Sequence, residues 1–193
     1  MKYRIYTKQE AQVSAWSGGE TMQLVIQPAD GDYGERQFTY RLSSATVELE
    51  ESTFTPLPGF KRWLLPLEGE LDLTHEHDGQ VDQLHLGEFQ AHWFLGAWKT
   101  KSVGRCRDFN LIYEENLEAA MRPILAQHET TKVADQEALL FAYKPLIVAI
   151  QHNGEAKDIK LDAFSTLWLA KGQEVDLTIT GQGDTQAVYA WLA

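Results

Sequence analysis

An all-β sandwich or barrel is what this 193-residue sequence predicts, on three observations. Short segments of strand character recur from one end to the other. Several alternate apolar and polar residues, the period of a strand with one face buried. Turn residues separate the segments at short intervals, and stretches with a helical period are scarce.

In chain order the strand segments are Tyr3–Tyr6, Gln23–Gln27, Phe38–Leu42, Trp63–Leu67, Leu71–Thr74, Val81–Leu86, Phe109–Tyr113, Leu146–Ile150, Thr166–Leu169, Val175–Thr180 and Ala187–Leu192. The clearest pair is LDLTHEHDGQVDQLHL: Leu71 and Leu73 share a face, Asp78-Gly79 makes the turn, and Val81, Leu84 and Leu86 return. Asp-Gly between alternating runs marks a hairpin, because both central residues of a type I′ turn need positive φ. VDLTITGQGDTQAVYAWL repeats the device around Gly181–Asp184. The best helix candidate is Leu117–Gln127, short or irregular because Pro123 falls inside it. With Gln127–Glu137 it reads as the connection between two β halves.

A chain of this length forms one large domain or two small ones and can bury a core without disulfide or metal staples. Lys and Arg number 17 against 28 Asp and Glu, so the net charge is 17 − 28 = −11. The basic residues are scattered, which argues against nucleic acid as a partner, since a duplex is met by clustered Lys and Arg. A buried pocket can still be locally positive. The single Cys106 excludes an internal disulfide and suits a reducing cytosol. No apolar run approaches the roughly 20 residues of a membrane helix, and MKYRIYTKQE lacks the apolar stretch of a secretory signal. A cytoplasmic protein without a membrane partner is expected.

The segment LLPLEGELDLTHEHDGQVDQLHLGEFQ resembles the central hairpin of cupins, small double-stranded β-barrels whose mouth holds a metal or a small molecule. Gly69 followed by His75-x-His77 also matches the spacing of the cupin metal motif, and imidazoles at i and i+2 share a strand face. The hairpin argues against a metal there: the two histidines flank Asp78-Gly79, a tip in solvent, with no third ligand in place. The resemblance puts the cupin metal ligands earlier, inside the barrel. The matching stretch here, TPLPGFKRW, has no His, and Arg62 stands where cupins often place a ligand glutamate. His85, His92, His128 and His152 are isolated. No metal and no cofactor are expected.

Four further segments, WSGGETMQL, FTYRLSSATVE, FTPLPGFKRWL and DFNLIY, together and in this order resemble the HutD/Ves family of bacterial proteins. The likeness covers about the first 115 residues; beyond them only the strand pattern supports it. It implies an RmlC-like bicupin, two double-stranded β-helix barrels in one chain. Residues 1–115 are the N-terminal half carrying the motifs, and 116–193 are a degenerate C-terminal half packed with it as one unit. It further implies a link to histidine utilisation, by binding an intermediate such as formylglutamate or urocanate, or to a stress response.

The motif residues suggest a pocket. Trp16 offers a flat apolar wall, Ser17 and Thr21 offer hydroxyls, and Gly18-Gly19 make a tight turn. Arg41 and Ser43 share a strand face, as do Asp108 and Asn110. An arginine on the interior face is costly without an anionic partner; the alternative is an outer position, or pairing with a structural Glu such as Glu48. By its place before the hairpin, Arg62 looks into the first barrel. Arg41 and Arg62 can fork a carboxylate, with Ser43, Thr21 and Asn110 adding neutral hydrogen bonds, Trp16 covering a planar part, and Asp108 orienting an arginine or receiving an amide N–H. No nucleophile–base pair is visible. Cys106, between Arg105 and Arg107, can have a lowered thiol pKa but lies outside the family segments and reads as incidental.

The leading function is therefore metal-free binding of a small organic acid. A metal-independent isomerase, lyase or hydrolase is the alternative, with Asp108 the one candidate for a general base and no catalytic residue assigned. Metal chemistry at His75 and His77 and a filled, purely structural bicupin follow. Pairing of cupins through sheet edges leaves a homodimer open.

Overall fold

The computed structural model describes residues 1–193 as strands, with a single short 3₁₀ turn at Lys8–Glu10. The first ten strands are β1 Tyr3–Tyr6, β2 Gln12–Trp16, β3 Gly19–Gln27, β4 Tyr40–Val47, β5 Glu51–Thr53, β6 Phe60–Gly69, β7 Leu71–His77, β8 Gln80–Leu86, β9 His92–Leu95 and β10 Lys99–Val103. The remainder are β11 Cys106–Glu114, β12 Ala119–Ile124, β13 His128–Ala134, β14 Glu137–Ala142, β15 Leu146–His152, β16 Glu155–Leu161, β17 Ser165–Leu169, β18 Glu174–Gly181 and β19 Ala187–Leu192. Every segment that the sequence marks as a strand overlaps one of them, Phe38–Leu42 only from Tyr40 onward. No helix is long and apolar enough to cross a membrane.

Two compact units form, Ala11–Asn116 and Met1–Glu10 with Leu117–Ala193. The first ten residues go with the C-terminal unit, because β1 pairs antiparallel with β17, Tyr3 opposite Leu169 and Tyr6 opposite Thr166. Ala11–Asn116 contains a six-stranded sheet, β2-β3-β4-β11-β6-β9, and a four-stranded sheet, β5-β10-β7-β8. The other unit contains a five-stranded sheet, β1-β17-β14-β19-β12, and a four-stranded sheet, β13-β18-β15-β16. All pairings between strands are antiparallel.

The alternation of each strand decides its buried face. In the C-terminal unit, Leu146, Val148 and Ile150 of β15 and Val175, Leu177 and Ile179 of β18 meet Ala138 and Leu140 of β14 and Leu167 and Leu169 of β17 in one apolar core. That core is aliphatic apart from the Tyr189 ring. In the unit Ala11–Asn116 the apolar residues gather in separate clusters. Leu64, Leu71, Leu73, Leu86 and Phe94 form one, and Phe38, Leu57, Phe60 and Ile112 form another.

The β7–β8 hairpin closes at His77 opposite Gln80, with Asp78 at φ 49° and Gly79 at φ 75°, the double positive φ that the Asp-Gly pair predicts. Three other expectations fail. Leu117–Gln127 is not helical: Ala119–Ile124 is β12, and Pro123 sits opposite Val188 at the edge of its sheet, where a residue without an N–H is tolerated. Gln127–Glu137 is not a connection but contains β13, paired with β18. Nor do β18 and β19 form a hairpin across Gly181–Asp184. They lie in different sheets, and the intervening residues cross between them; that gap is too long for the two-residue turn that would fix a register.

Candidate functional site

A cavity of about 330 Å³ opens inside the unit Ala11–Asn116, at the lower end of the size of ligand pockets. Its back wall is built from β4, β11 and β6. Asn110 is opposite Ser43 on β4 and Leu64 on β6, and Ile112 is opposite Arg41 and Arg62. The two-residue pleat then directs Arg41 and Ser43, Asp108 and Asn110, and Arg62 to the same side, and all five line the cavity.

The two guanidiniums are buried, at 7% exposure for Arg41 and 4% for Arg62. Arg41 Nε donates to Gln23 Oε1 at 2.7 Å and its Nη1 to Ser43 Oγ at 3.2 Å, and the guanidinium lies 4.3 Å from the Tyr33 ring centre. Arg62 Nη2 donates to the Thr55 carbonyl oxygen at 2.5 Å, and the group lies beside the Phe54–Phe94 ring pair, at 5.6 and 5.9 Å from their ring centres. Neither forms a salt bridge. Neutral acceptors and ring faces hold both cations, so burial lowers the pKa of each, with Tyr33 and Asp108 opposing.

Asp108 is buried yet ion-paired to neither arginine. Its Oδ1 accepts from the Ala45 backbone N–H at 3.2 Å and from Asn110 Nδ2 at 3.0 Å. Burial pushes the carboxyl up to about 6, against the pull of those two bonds, Arg62 and Arg107. Three of the buried side-chain polar atoms that lack a partner belong to lining residues: Ser52 Oγ, Arg62 Nε and Asn110 Oδ1. Buried polar groups are nearly always satisfied, and these three are polar capacity in the cavity that the chain itself does not use.

Trp16 stands in the wall, 40% exposed. Its ring lies over Gly18, where an added Cβ would come within 2.2 Å of it; that close approach is why the turn carries glycine. Thr21 also lines the cavity. Ser17 does not: it occupies the exposed turn between β2 and β3, closed by Trp16 opposite Gly19, and the hairpin carries it away from the interior.

The sequence profile of the HutD family matches residues 8–187. The chain belongs to the HutD family. Among solved structures, it is similar over 100% of its length to 99% of a conserved protein of unknown function from Pseudomonas aeruginosa PAO1, with a TM-score of 0.83 and 26% identity. It is similar over 100% of its length to 98% of HutD from Pseudomonas fluorescens SBW25, with a TM-score of 0.76 and 22% identity. A likeness of fold alone extends to Bacillus subtilis oxalate decarboxylase, over 97% of this chain and 76% of that one, with a TM-score of 0.69 and 6% identity. The fold is thus of the cupin kind. No curated protein sequence matches the chain.

Other residues of this HutD-family chain depart from expectation. His75 is not in solvent at the hairpin tip but 1% exposed, in phase with Leu71 and Leu73 on the core face of β7. Its Nδ1 is 2.8 Å from Thr100 Oγ1 and its Nε2 is 3.0 Å from His92 Nε2, so His92 is not isolated either. Burial first, then His92, holds the His75 imidazole down at about 4. His77 stacks on Trp98 with ring centres 4.0 Å apart. Cys106 has no lowered pKa; burial and Asp108 push its thiol up to about 12.

Sequence reasoning missed Tyr33, Phe54, Thr55, Ser14, Ser52 and Ser102 as lining residues, and Gln23 behind Arg41. Phe54 and Thr55 belong to a segment that the family likeness had already singled out. Tyr33 comes from the loop between β3 and β4, which carries no periodicity to place it.

Proposed function

We propose that this HutD-family protein binds a small carboxylate metabolite, formylglutamate- or urocanate-like, without a metal, in the cavity lined by Trp16, Thr21, Arg41, Ser43, Arg62, Asp108 and Asn110. The observation that carries the reading is two buried guanidiniums in one polar cavity with no carboxylate paired to either. A buried cation is costly until an anion reaches it, and a guanidinium presents paired N–H groups that match a carboxylate. Arg62 Nε would donate to such a guest and Asn110 Oδ1 would accept an N–H from it, while Trp16, Tyr33 and Phe54 would cover its carbon skeleton. The role we assign is cytoplasmic and regulatory, in histidine utilisation or a stress response, by holding a metabolite.

Calorimetric titration with N-formylglutamate, urocanate, glutamate and histidine tests this. At least one should bind, and Arg62→Ala should weaken it by at least about tenfold, the loss of one charged hydrogen bond. A flat response to all four ends the proposal. The second reading is metal-independent chemistry on a small acid. It has one feature in its favour: burial pushes the Asp108 carboxyl up to about 6, in the range that suits a general acid or base near neutral pH. Turnover of a bound acid, abolished by Asp108→Asn, would put it first.

A further inference from the structure

The two oxygens of Asp108 are in unequal positions. Oδ1 is saturated by the Ala45 N–H and Asn110 Nδ2, whereas Oδ2 receives no hydrogen bond from the chain. The strand is pinned at this point by Ser44 Oγ, which donates to the Asp108 carbonyl oxygen at 2.8 Å. The charges around it are few. From β4 comes Arg41, from β6 Arg62, and from its own strand Arg107 and the Cys106 thiol. From the loop between β3 and β4, the Tyr33 phenol faces both cavity arginines and the Arg36 guanidinium acts on Arg62. From β2, β3, β5, β7 and β10 the lining residues are Ser14, Trp16, Thr21, Ser52, Thr53, Leu71 and Ser102, none of them charged.

The empty cavity therefore holds two guanidiniums against one carboxyl. An arriving anion takes up the attraction of Arg41 and Arg62 and adds a negative charge in the same low-dielectric space. A second carboxylate close by pushes the Asp108 carboxyl further up and so favours its protonated form. Asp108 has an oxygen free to carry that proton. We propose that Asp108 takes up a proton from solvent when an anion enters the cavity beside Arg41 and Arg62, so that loading strengthens as the pH falls. This rests on the carboxylate-binding reading above and assigns its regulation. The protein would release its guest as the compartment becomes alkaline and hold it as the compartment acidifies. The Asp108 carboxyl, already raised to about 6 in the free protein, places the response near neutral pH, whereas His75, at about 4, titrates well below it.

The test is calorimetry of the full chain with N-formylglutamate, and with sodium formate as the minimal anion, in buffers of different ionisation enthalpy at about pH 7. The expected result is uptake approaching about one proton per bound anion, with affinity rising by up to about tenfold for each pH unit lowered toward 6. In Asp108→Asn the uptake disappears and the affinity levels out across the same range. The wild-type protein supplies a second readout: the titration midpoint of the Asp108 carboxyl carbon, followed by NMR, moves upward when the anion saturates the site. Binding with a buffer-independent heat, or uptake that persists in Asp108→Asn, overturns the proton coupling and leaves carboxylate binding standing. No heat with either anion at any pH overturns both.

Discussion

The two units solve the same packing problem with opposite interiors. In the C-terminal unit, the inward positions of β14 and β19 are Ala138, Leu140, Ala142, Ala187 and Tyr189, and they close on the aliphatic face of β15 and β18. In the unit Ala11–Asn116, the inward positions of β4 and β11 are Arg41, Ser43, Ala45, Asp108, Asn110 and Ile112, and they surround about 330 Å³ of cavity. The sheet framework is alike: a larger and a smaller antiparallel sheet in each. What differs is a handful of side chains on two central strands. A sandwich frame tolerates a polar interior in one unit because apolar clusters beside the cavity, around Leu64 and Phe94 and around Phe38 and Phe60, still bury enough surface to hold the sheets together.

Four predictions break or sharpen this comparison. The largest effect belongs to the filled unit: Leu140→Ala should destabilise the protein by about 2–5 kcal/mol, the usual cost of a core cavity, in denaturant unfolding. Ser43→Ala, at a polar inward position of the other unit, should cost about 1 kcal/mol or less. Next, the pair Arg41→Met and Arg62→Met makes the open interior resemble the filled one. Stability should hold or rise by about 1–4 kcal/mol, as when buried ionic groups give way to apolar ones of similar volume, while calorimetry should find binding of N-formylglutamate gone. A large loss of stability would mean that the arginines are structural.

Asp108→Asn comes third. The native carboxyl titrates at about 6 and an unfolded aspartate at about 3.9, so the folded state binds the extra proton between those values. The stability this group confers is full below about pH 4 and is lost as the pH rises through about 6. The Asn variant stays neutral, so it should be more stable than the parent by about 1–3 kcal/mol at pH 8, with the advantage gone by about pH 4. Thermal unfolding across pH reads this directly, and an advantage that grows toward acid would reverse the sign of the argument. The smallest effect is at the edge of the filled unit: Pro123→Ala on β12 should change stability by no more than about 0.5 kcal/mol, since an edge strand does not depend on that N–H.

Alternation made the strands legible. Wherever apolar residues recur every second position, as in β7, β15, β17 and β18, the segment could be placed and its face named. β12 and β13 were not legible, because Pro123 and the polar run His128–Lys132 look like breakers unless the edge position that excuses them is known. His75 shows the reverse error: its phase with Leu71 and Leu73 was readable, but nearness to the turn suggested solvent, and only the packing of Phe94, Thr100 and His92 around it decided otherwise.

By itself, then, the sequence determined the β architecture, the hairpin at Asp78-Gly79, and the alternation that sets Arg41 with Ser43 and Asp108 with Asn110, because these depend on neighbours along the chain. Only the tertiary structure decided that both pairs and Arg62 share one cavity, that Asp108 meets neither arginine as a salt bridge, that Tyr33 and Gln23 stand beside Arg41, and that residues 1–10 join the unit formed by Leu117–Ala193. Those facts depend on the register between strands far apart in sequence, and register is settled by the burial of whole faces at once.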